Sequence, residues 1–255
     1  MDTLLDFSGK CALITGAGSG FGERLATALA ERRCNLVLGD INESTLTETV
    51  KSLEQFDVQV KALVGDVSNE GYCSSLAHLA EASFKRLDFA VNNAGVAHKM
   101  SPIHTLTEDT INQQMQVNVN SVLFGMKSQI PIMLKQQRGH VLNISSMAGI
   151  GGAPKGGAYS AAKHAVVGLT RTAAIEYARY GIQVNALCPF FSPTNIMNVE
   201  GLASTEEREK LASGCPMKRL AEPQEIVNTM VLLLSPGNSF MTGQAIAVDG
   251  GVSAW

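Results

Sequence analysis

Tyr159 and Lys163 stand four residues apart in a segment with helical spacing, so they project from one face about 6 Å apart along the axis. Among the four tyrosines, only Tyr159 has a lysine at that distance. An ammonium beside a phenol favours the phenolate and brings a pKa of about 10 down toward neutrality, where a general acid/base works well. Ser146 lies upstream at the end of a strand-like run. Its hydroxyl either holds a carbonyl or carbinol oxygen beside the phenol, or serves a loop or cap. The chemistry these types support together is proton exchange at an alcohol or ketone oxygen.

A second constellation is Thr15-Gly16-Ala17-Gly18-Ser19-Gly20-Phe21-Gly22. Glycines let a chain turn sharply and approach a pyrophosphate, whose charge then faces the positive end of the following helix. Such a turn also occurs as a plain strand-to-helix connection, but here a strand precedes it and a helix opens near Gly20. Asp40 closes the next strand, close to the spacing of about 20 residues expected of the acid that binds the adenosine ribose hydroxyls. A solvated strand-end acid is the alternative. A carboxylate there repels a 2'-phosphate, and neither Ser19 nor Ile41 supplies the arginine that such a phosphate would want. The expected cofactor is NAD rather than NADP.

These residues need a scaffold, and the hydrophobic pattern supplies one. Short apolar, β-branched runs recur at 11–15, 35–39, 59–64, 89–92, 140–144, 183–187 and 245–248, separated by longer stretches of helical spacing such as Phe21, Leu25, Ala28 and Leu29. Seven buried strand signals alternating with helices predict an α/β Rossmann-type fold, a doubly wound and mostly parallel sheet with helices on both faces. No linker rich in Pro, Gly or Ser interrupts the chain, so residues 1–255 are expected to form one dinucleotide-binding and catalytic domain. Its least regular part, 189–216, reads as a loop with short helical pieces, placed where ligand-binding excursions of such sheets lie.

Composition narrows the partners. A formal charge of -3 without a like-charge block gives no basis for binding nucleic acid or an anionic membrane surface. Five cysteines with no CxxC pair suggest neither a disulfide framework nor a thiolate zinc site, and the five histidines form no HExxH motif, so no metal is expected. The first ten residues carry acids rather than an apolar leader, and free thiols suit a reducing compartment, so the expected location is the cytoplasm.

Over essentially its whole 255 residues the chain resembles the short-chain dehydrogenase/reductase family. Gly16, Gly20 and Gly22 match the family's TGxxxGxG turn, Asp66-Val67 its adenine-gripping pair, and Asn92-Asn93-Ala94-Gly95 its NNAG motif. Asn118, Ser146, Tyr159 and Lys163 match its catalytic tetrad, and Val248-Asp249-Gly250-Gly251 its last strand and turn. The resemblance implies that Tyr159 is the acid/base, that Lys163 also binds the nicotinamide ribose, and that Ser146 orients the substrate oxygen. It gives Asn118 the part of kinking its helix and holding a proton-relaying water. Ser19, Phe21, Ile41, Asn93, Ala94, Gly95, Pro189, Ser192 and Thr194 would join the cofactor site, with Thr194 on the carboxamide. It also implies a homotetramer built through the long helices around Asn118 and Tyr159 and through the last strand.

One departure stands out. The family usually has Pro-Gly after the sixth strand, whereas this chain reads Pro189-Phe190-Phe191. The change removes access to positive φ and sets an aromatic where backbone usually passes the cofactor. Phe190 is either core packing or a wall of the substrate site. On family grounds Met147, Ile150, Pro154, Phe190, Phe191 and Met197 join Ser146 and Tyr159 around the substrate, and none of the six is charged. The expected activity is interconversion of a secondary alcohol and a ketone on an apolar cyclic or aromatic molecule. An NADP-dependent ketoreductase resembling ketoacyl reductases is the enzymatic alternative, and a non-catalytic dinucleotide sensor the other.

Overall fold

The computed structural model describes residues 3–254. Seven strands, β1 (Cys11–Thr15), β2 (Asn35–Asp40), β3 (Val60–Val64), β4 (Phe89–Asn92), β5 (Gly139–Ile144), β6 (Ile182–Pro189) and β7 (Ala245–Val248), make one sheet in the order β3-β2-β1-β4-β5-β6-β7. Every pairing is parallel, more uniform than the mostly parallel sheet expected. The strand order reverses between β1 and β4, and ligands of open α/β sheets bind at such a switch point, outside the carboxyl ends of the strands.

Strand side chains alternate between faces, and the two hydrophobic cores divide accordingly. Ala12, Ile14, Leu36 and Leu38 pack with Leu25 and Leu29 of α1 (Gly20–Ala30), with Leu46 of α2 (Glu43–Leu53) and with Ile226 and Met230 of α8 (Pro223–Leu233). Leu13, Val37, Val141 and Val184 face the other way. They meet Leu76 of α3 (Glu70–Phe84), Met126 of α5 (Ser121–Gln136) and Val166 of α6 (Gly157–Tyr177). The expectation that all seven strands are buried fails at the two edges. β3 pairs only with β2, and Lys61, Ala62 and Val64 are exposed; β7 pairs only with β6, and all four of its residues are half-buried.

Helix α4 (Glu108–Met115) runs into α5 through one π-helical stretch, Gln116–Asn120, centred on Asn118. Such a bulge inserts a residue into the hydrogen-bond ladder and bends the helix, as a kink at Asn118 requires. Beyond β6 the chain makes a short 3₁₀ turn, Asn195–Met197, and then α7 (Thr205–Gly214), which Ser204 and Glu207 close with reciprocal capping bonds. The irregular stretch at 189–216 therefore has one regular helix within it.

Candidate active site

The glycine turn sits at the carboxyl end of β1. Gly16 has φ +66, and a Cβ there would lie 2.9 Å from Asn93 Nδ2; a Cβ at Gly22 would run into the Gly16 carbonyl oxygen. Both positions need glycine, one for its backbone angle and the other for close approach of helix and turn. Asn93 closes the turn from the neighbouring strand by donating to the Thr15 carbonyl at 2.9 Å, while the Thr15 hydroxyl accepts from the amides of Asn93 and Ala94 at 3.0 and 3.1 Å. Ser19 is the N-cap of α1 and makes no side-chain capping bond.

Asp40 is not a freely solvated acid. Oδ2 accepts from the Gly18 amide at 2.8 Å and Oδ1 from the Asn42 amide at 2.9 Å, which holds the carboxylate beside the glycine turn. Ile41 next to it is 68% exposed. Asp66 is also exposed, accepting from the Ser68 amide, and Val67 is buried. Across from the turn, a Cβ at Gly20 would lie 3.4 Å from the Thr194 side chain. Ser192 is buried and its hydroxyl has no protein partner. A cradle cleared of Cβ atoms, a fixed acid at its far end and an orphaned buried hydroxyl opposite fit a dinucleotide.

The reactive cluster forms where β4, β5 and α6 meet. Lys163 Nζ donates to the Ile144 carbonyl at 2.8 Å and lies 5.5 Å from the centre of the Tyr159 ring. The Ser146 hydroxyl lies on the phenol side of Tyr159, close enough to favour its ionised form. It also accepts from the Ala148 amide at 3.1 Å, so the two readings of this serine, oxygen holder and loop cap, are compatible. Asn118 is fully buried; its Oδ1 accepts from the Val96 amide and its Nδ2 donates to the Val96 carbonyl, each at 2.9 Å. Gly95 passes between Asn118 and Lys163, for a Cβ there would sit 2.8 Å from Asn118 Oδ1 and 3.5 Å from Lys163 Nζ. The four tetrad positions thus converge at the strand ends.

The electrostatics run against the simple expectation for Tyr159. Burial pushes its pKa up from 10.0 to about 12, with the Ser146 hydroxyl pulling the other way. Burial lowers Lys163 from 10.5 to about 8. The ammonium does not bring the phenol toward neutrality here, because Nζ is directed at a strand carbonyl while the low-polarity surroundings penalise both charged forms. Burial thus favours the protonated phenol, the form that can donate to a ketone oxygen.

The loop after β6 shows what the missing glycine changes. Phe190 is not among the positive-φ residues, and its amide donates to the Val248 carbonyl at 3.0 Å, extending the β6–β7 pairing by one bond. Its ring meets Phe191 edge-on with centroids 5.1 Å apart, and both side chains are half-buried. Pro189 ends the strand. Met147 is half-buried, Ile150 lies at the margin of exposure and Pro154 is exposed. Met197 is enclosed, at 1% exposure, so its side chain forms no part of an open wall.

A family model described as enoyl-(acyl carrier protein) reductase matches residues 16–253. The chain belongs to the short-chain dehydrogenases/reductases. Within this family it is 34% identical to levodione reductase of Leifsonia aquatica over 97% of this chain and 96% of that protein. It is 35% identical to cis-4-hydroxycyclohexanecarboxylate dehydrogenase of Sinomonas cyclohexanicum over 97% and 98%. A crystal structure of levodione reductase superimposes with a TM-score of 0.94 at 33% identity, covering 97% of this chain and 99% of that one. NAD+-bound xylitol dehydrogenase gives a TM-score of 0.90 at 30% identity, and ElxO with NADP bound gives 0.88 at 28%, each covering 96% of this chain and 99% of the other. Structural relatives at this level therefore carry either nicotinamide dinucleotide. Among the described residues no helix is long and apolar enough to cross a membrane.

Sequence reasoning missed several residues that build this site. Gln114, fully buried, accepts from Asn118 Nδ2 at 2.8 Å and orients that amide. Ser145 donates to the Lys163 carbonyl at 2.9 Å, tying α6 to the end of β5. Behind them Gln129, Asn143 and Thr170 join Asn92 of the NNAG motif in a continuous buried chain of side-chain hydrogen bonds. Polar residues among apolar runs were the available signal, but a single sequence does not say which of them pair.

Proposed function

We propose that the protein is an NAD-dependent dehydrogenase/ketoreductase that interconverts a secondary alcohol and a ketone, with an apolar cyclic or aromatic compound as substrate. The observation that carries the reading is the convergence of Ser146, Tyr159 and Lys163 beside Gly95 and Asn118. A nicotinamide dinucleotide, when bound, supplies or takes up the hydride. Gly16, Gly20 and Gly22 would admit its pyrophosphate, Asp40 its adenosine ribose, Asp66 and Val67 its adenine, and Ser192 and Thr194 its carboxamide.

The chain's own residues then handle the proton and the geometry. Ser146 donates to the substrate oxygen and holds it against Tyr159, which as the phenol gives its proton to a ketone oxygen and, in the reverse direction, as the phenolate takes one from an alcohol. Lys163, held by the Ile144 carbonyl, offers its remaining N–H groups to the nicotinamide ribose and compensates charge that develops on the phenol. Asn118, locked by Val96 and Gln114, keeps the π-helical bend facing Lys163. Support for NAD comes from the fixed carboxylate of Asp40 and the lack of a basic residue at Ile41. Support for a ring-shaped substrate comes from a relative named for cis-4-hydroxycyclohexanecarboxylate, and support for an uncharged one from the residues Met147, Ile150, Phe190 and Phe191.

Assembly into a homotetramer belongs to the same proposal. Along α6, Ala161, His164 and Gly168 are exposed with Ala165 half-buried among them, a face with which a second copy's helix can pack.

The test is a panel of secondary alcohols, cyclic, aromatic, linear and polyol, followed by dinucleotide fluorescence with NAD and with NADP. Reduction of NAD by cyclic or aromatic members is the expected result. Turnover confined to charged or acyl-carrier substrates, or to NADP, overturns the corresponding part of the reading.

A further inference from the structure

Helix α6 begins without the usual help. The first amides of an α-helix have no acceptor inside the helix, and an N-cap side chain ordinarily serves the second or third of them. The N-cap here is Gly156, which has no side chain to offer. The third helical residue is Tyr159, and its amide donates instead to Nε2 of His98, 3.4 Å away and sixty-one residues earlier in the chain.

His98 is built for that bond. Its side chain is 8% exposed, and its Nδ1 lies 2.7 Å from the Lys99 carbonyl oxygen. A carbonyl can only accept, so Nδ1 carries the hydrogen and the neutral ring presents its Nε2 lone pair to the Tyr159 amide. Both ring nitrogens are used, and their partners assign the Nδ1–H tautomer. The segment bearing His98 leaves β4 through Gly95, the residue wedged between Asn118 and Lys163. It is then stitched to the start of α6 by the Ser101 amide, which donates to the Lys155 carbonyl at 2.8 Å, and to the 189–216 loop by the Met100 amide, which donates to the Glu200 carbonyl at 3.1 Å. One short strip thus touches the cofactor side, the helix bearing the phenol and the loop over the substrate.

We propose that His98 is a positioning residue for Tyr159: as a neutral Nδ1–H imidazole it caps α6 from outside the helix and fixes the backbone that carries the phenol relative to Ser146 and Lys163. The proposal rests on the reading of Tyr159 as acid/base, and it goes beyond that reading by naming what sets the phenol's place. Misplacement of a reacting group by about 1 Å can cost about 10²-fold in rate, so loss of the cap falls on turnover rather than on cofactor binding.

Three measurements test it. In the wild-type protein without cofactor, imidazole ¹⁵N shifts should report the Nδ1–H tautomer for His98; an Nε2–H tautomer overturns the proposal and requires no variant. In His98→Leu, amide exchange at Tyr159 should accelerate at least about tenfold while amides from the middle of α6 hold their rates. Unchanged exchange at Tyr159 overturns it. Turnover of His98→Leu should fall about 10- to 100-fold with KM for the cofactor within about twofold, and His98→Gln, whose Oε1 reaches near the Nε2 position, should recover most of it. Equal loss in both variants assigns His98 to packing alone and sinks the proposal. Tyr159→Phe with full turnover would instead refute the acid/base reading, leaving the tautomer and exchange results to stand or fall separately.

Discussion

Lys163 and Tyr159 share one face of α6, with the ammonium nitrogen 5.5 Å from the centre of the phenol ring. The ammonium also donates to the Ile144 carbonyl, while the phenol lies beside the Ser146 hydroxyl. The two therefore make separable contributions. Tyr159→Phe keeps the ring and removes the exchangeable proton, so kcat should drop by at least about 10²-fold with dinucleotide affinity nearly unchanged. Lys163→Met should lose turnover and weaken dinucleotide binding as well. Steady-state kinetics with a fluorescence titration of each variant distinguishes the two effects; a Tyr159→Phe enzyme that keeps more than about a tenth of its turnover cannot be using this phenol.

Much of this arrangement was legible in the sequence, for reasons that differ by residue. Strand positions followed from apolar runs, and the glycine turn, Asp40 and the Tyr159–Lys163 pair from spacings that local geometry dictates. β3 misled because composition reports a strand but not its place at the edge, where a second neighbour is missing. The phenol's pKa misled because spacing gives proximity of a charge but not the burial that opposes it, and burial prevails. His98 was the hardest to place. It is one of five histidines that form no motif in the sequence, and only the folded chain brings its ring to the amide of Tyr159.

His140 predicts how the protein responds to acid. It lies on β5 at 7% exposure, edge-on to Phe89 with ring centroids 5.6 Å apart. Burial, with Arg138 nearby, lowers its pKa from 6.5 to about 4, against the smaller pull of the Leu233 backbone and Asp88 toward the charged form. Between those two values the unfolded chain binds more protons than the native one, so stability falls as pH drops from about 6.5 to about 4. The shift corresponds to about 3 kcal/mol lost across that window. Urea unfolding at several pH values should show this slope in wild type and a flatter one in His140→Phe, which keeps the aromatic contact and cannot titrate. Parallel slopes would place the acid sensitivity elsewhere.

The proposed preference for NAD rests on Asp40, and the structure sharpens its test. Its carboxylate is held by the Gly18 and Asn42 amides at the rim of the glycine turn, so it can neither swing away from a 2'-phosphate nor be neutralised by a basic side chain at the exposed Ile41. Repulsion of a doubly negative phosphate at a few ångströms, partly screened, is worth on the order of 1 to 3 kcal/mol, or about 5- to 150-fold in affinity. Asp40→Ala should weaken NAD, since the ribose loses its acceptor, and relieve the penalty on NADP, narrowing the ratio without producing tight NADP binding. Asp40→Ala combined with Ile41→Arg should then supply a bidentate phosphate contact and move the preference further. The measurement is kcat/KM with both dinucleotides for the three proteins. If wild type already uses NADP as well as NAD, or if Asp40→Ala leaves the ratio where it was, this carboxylate does not set the choice.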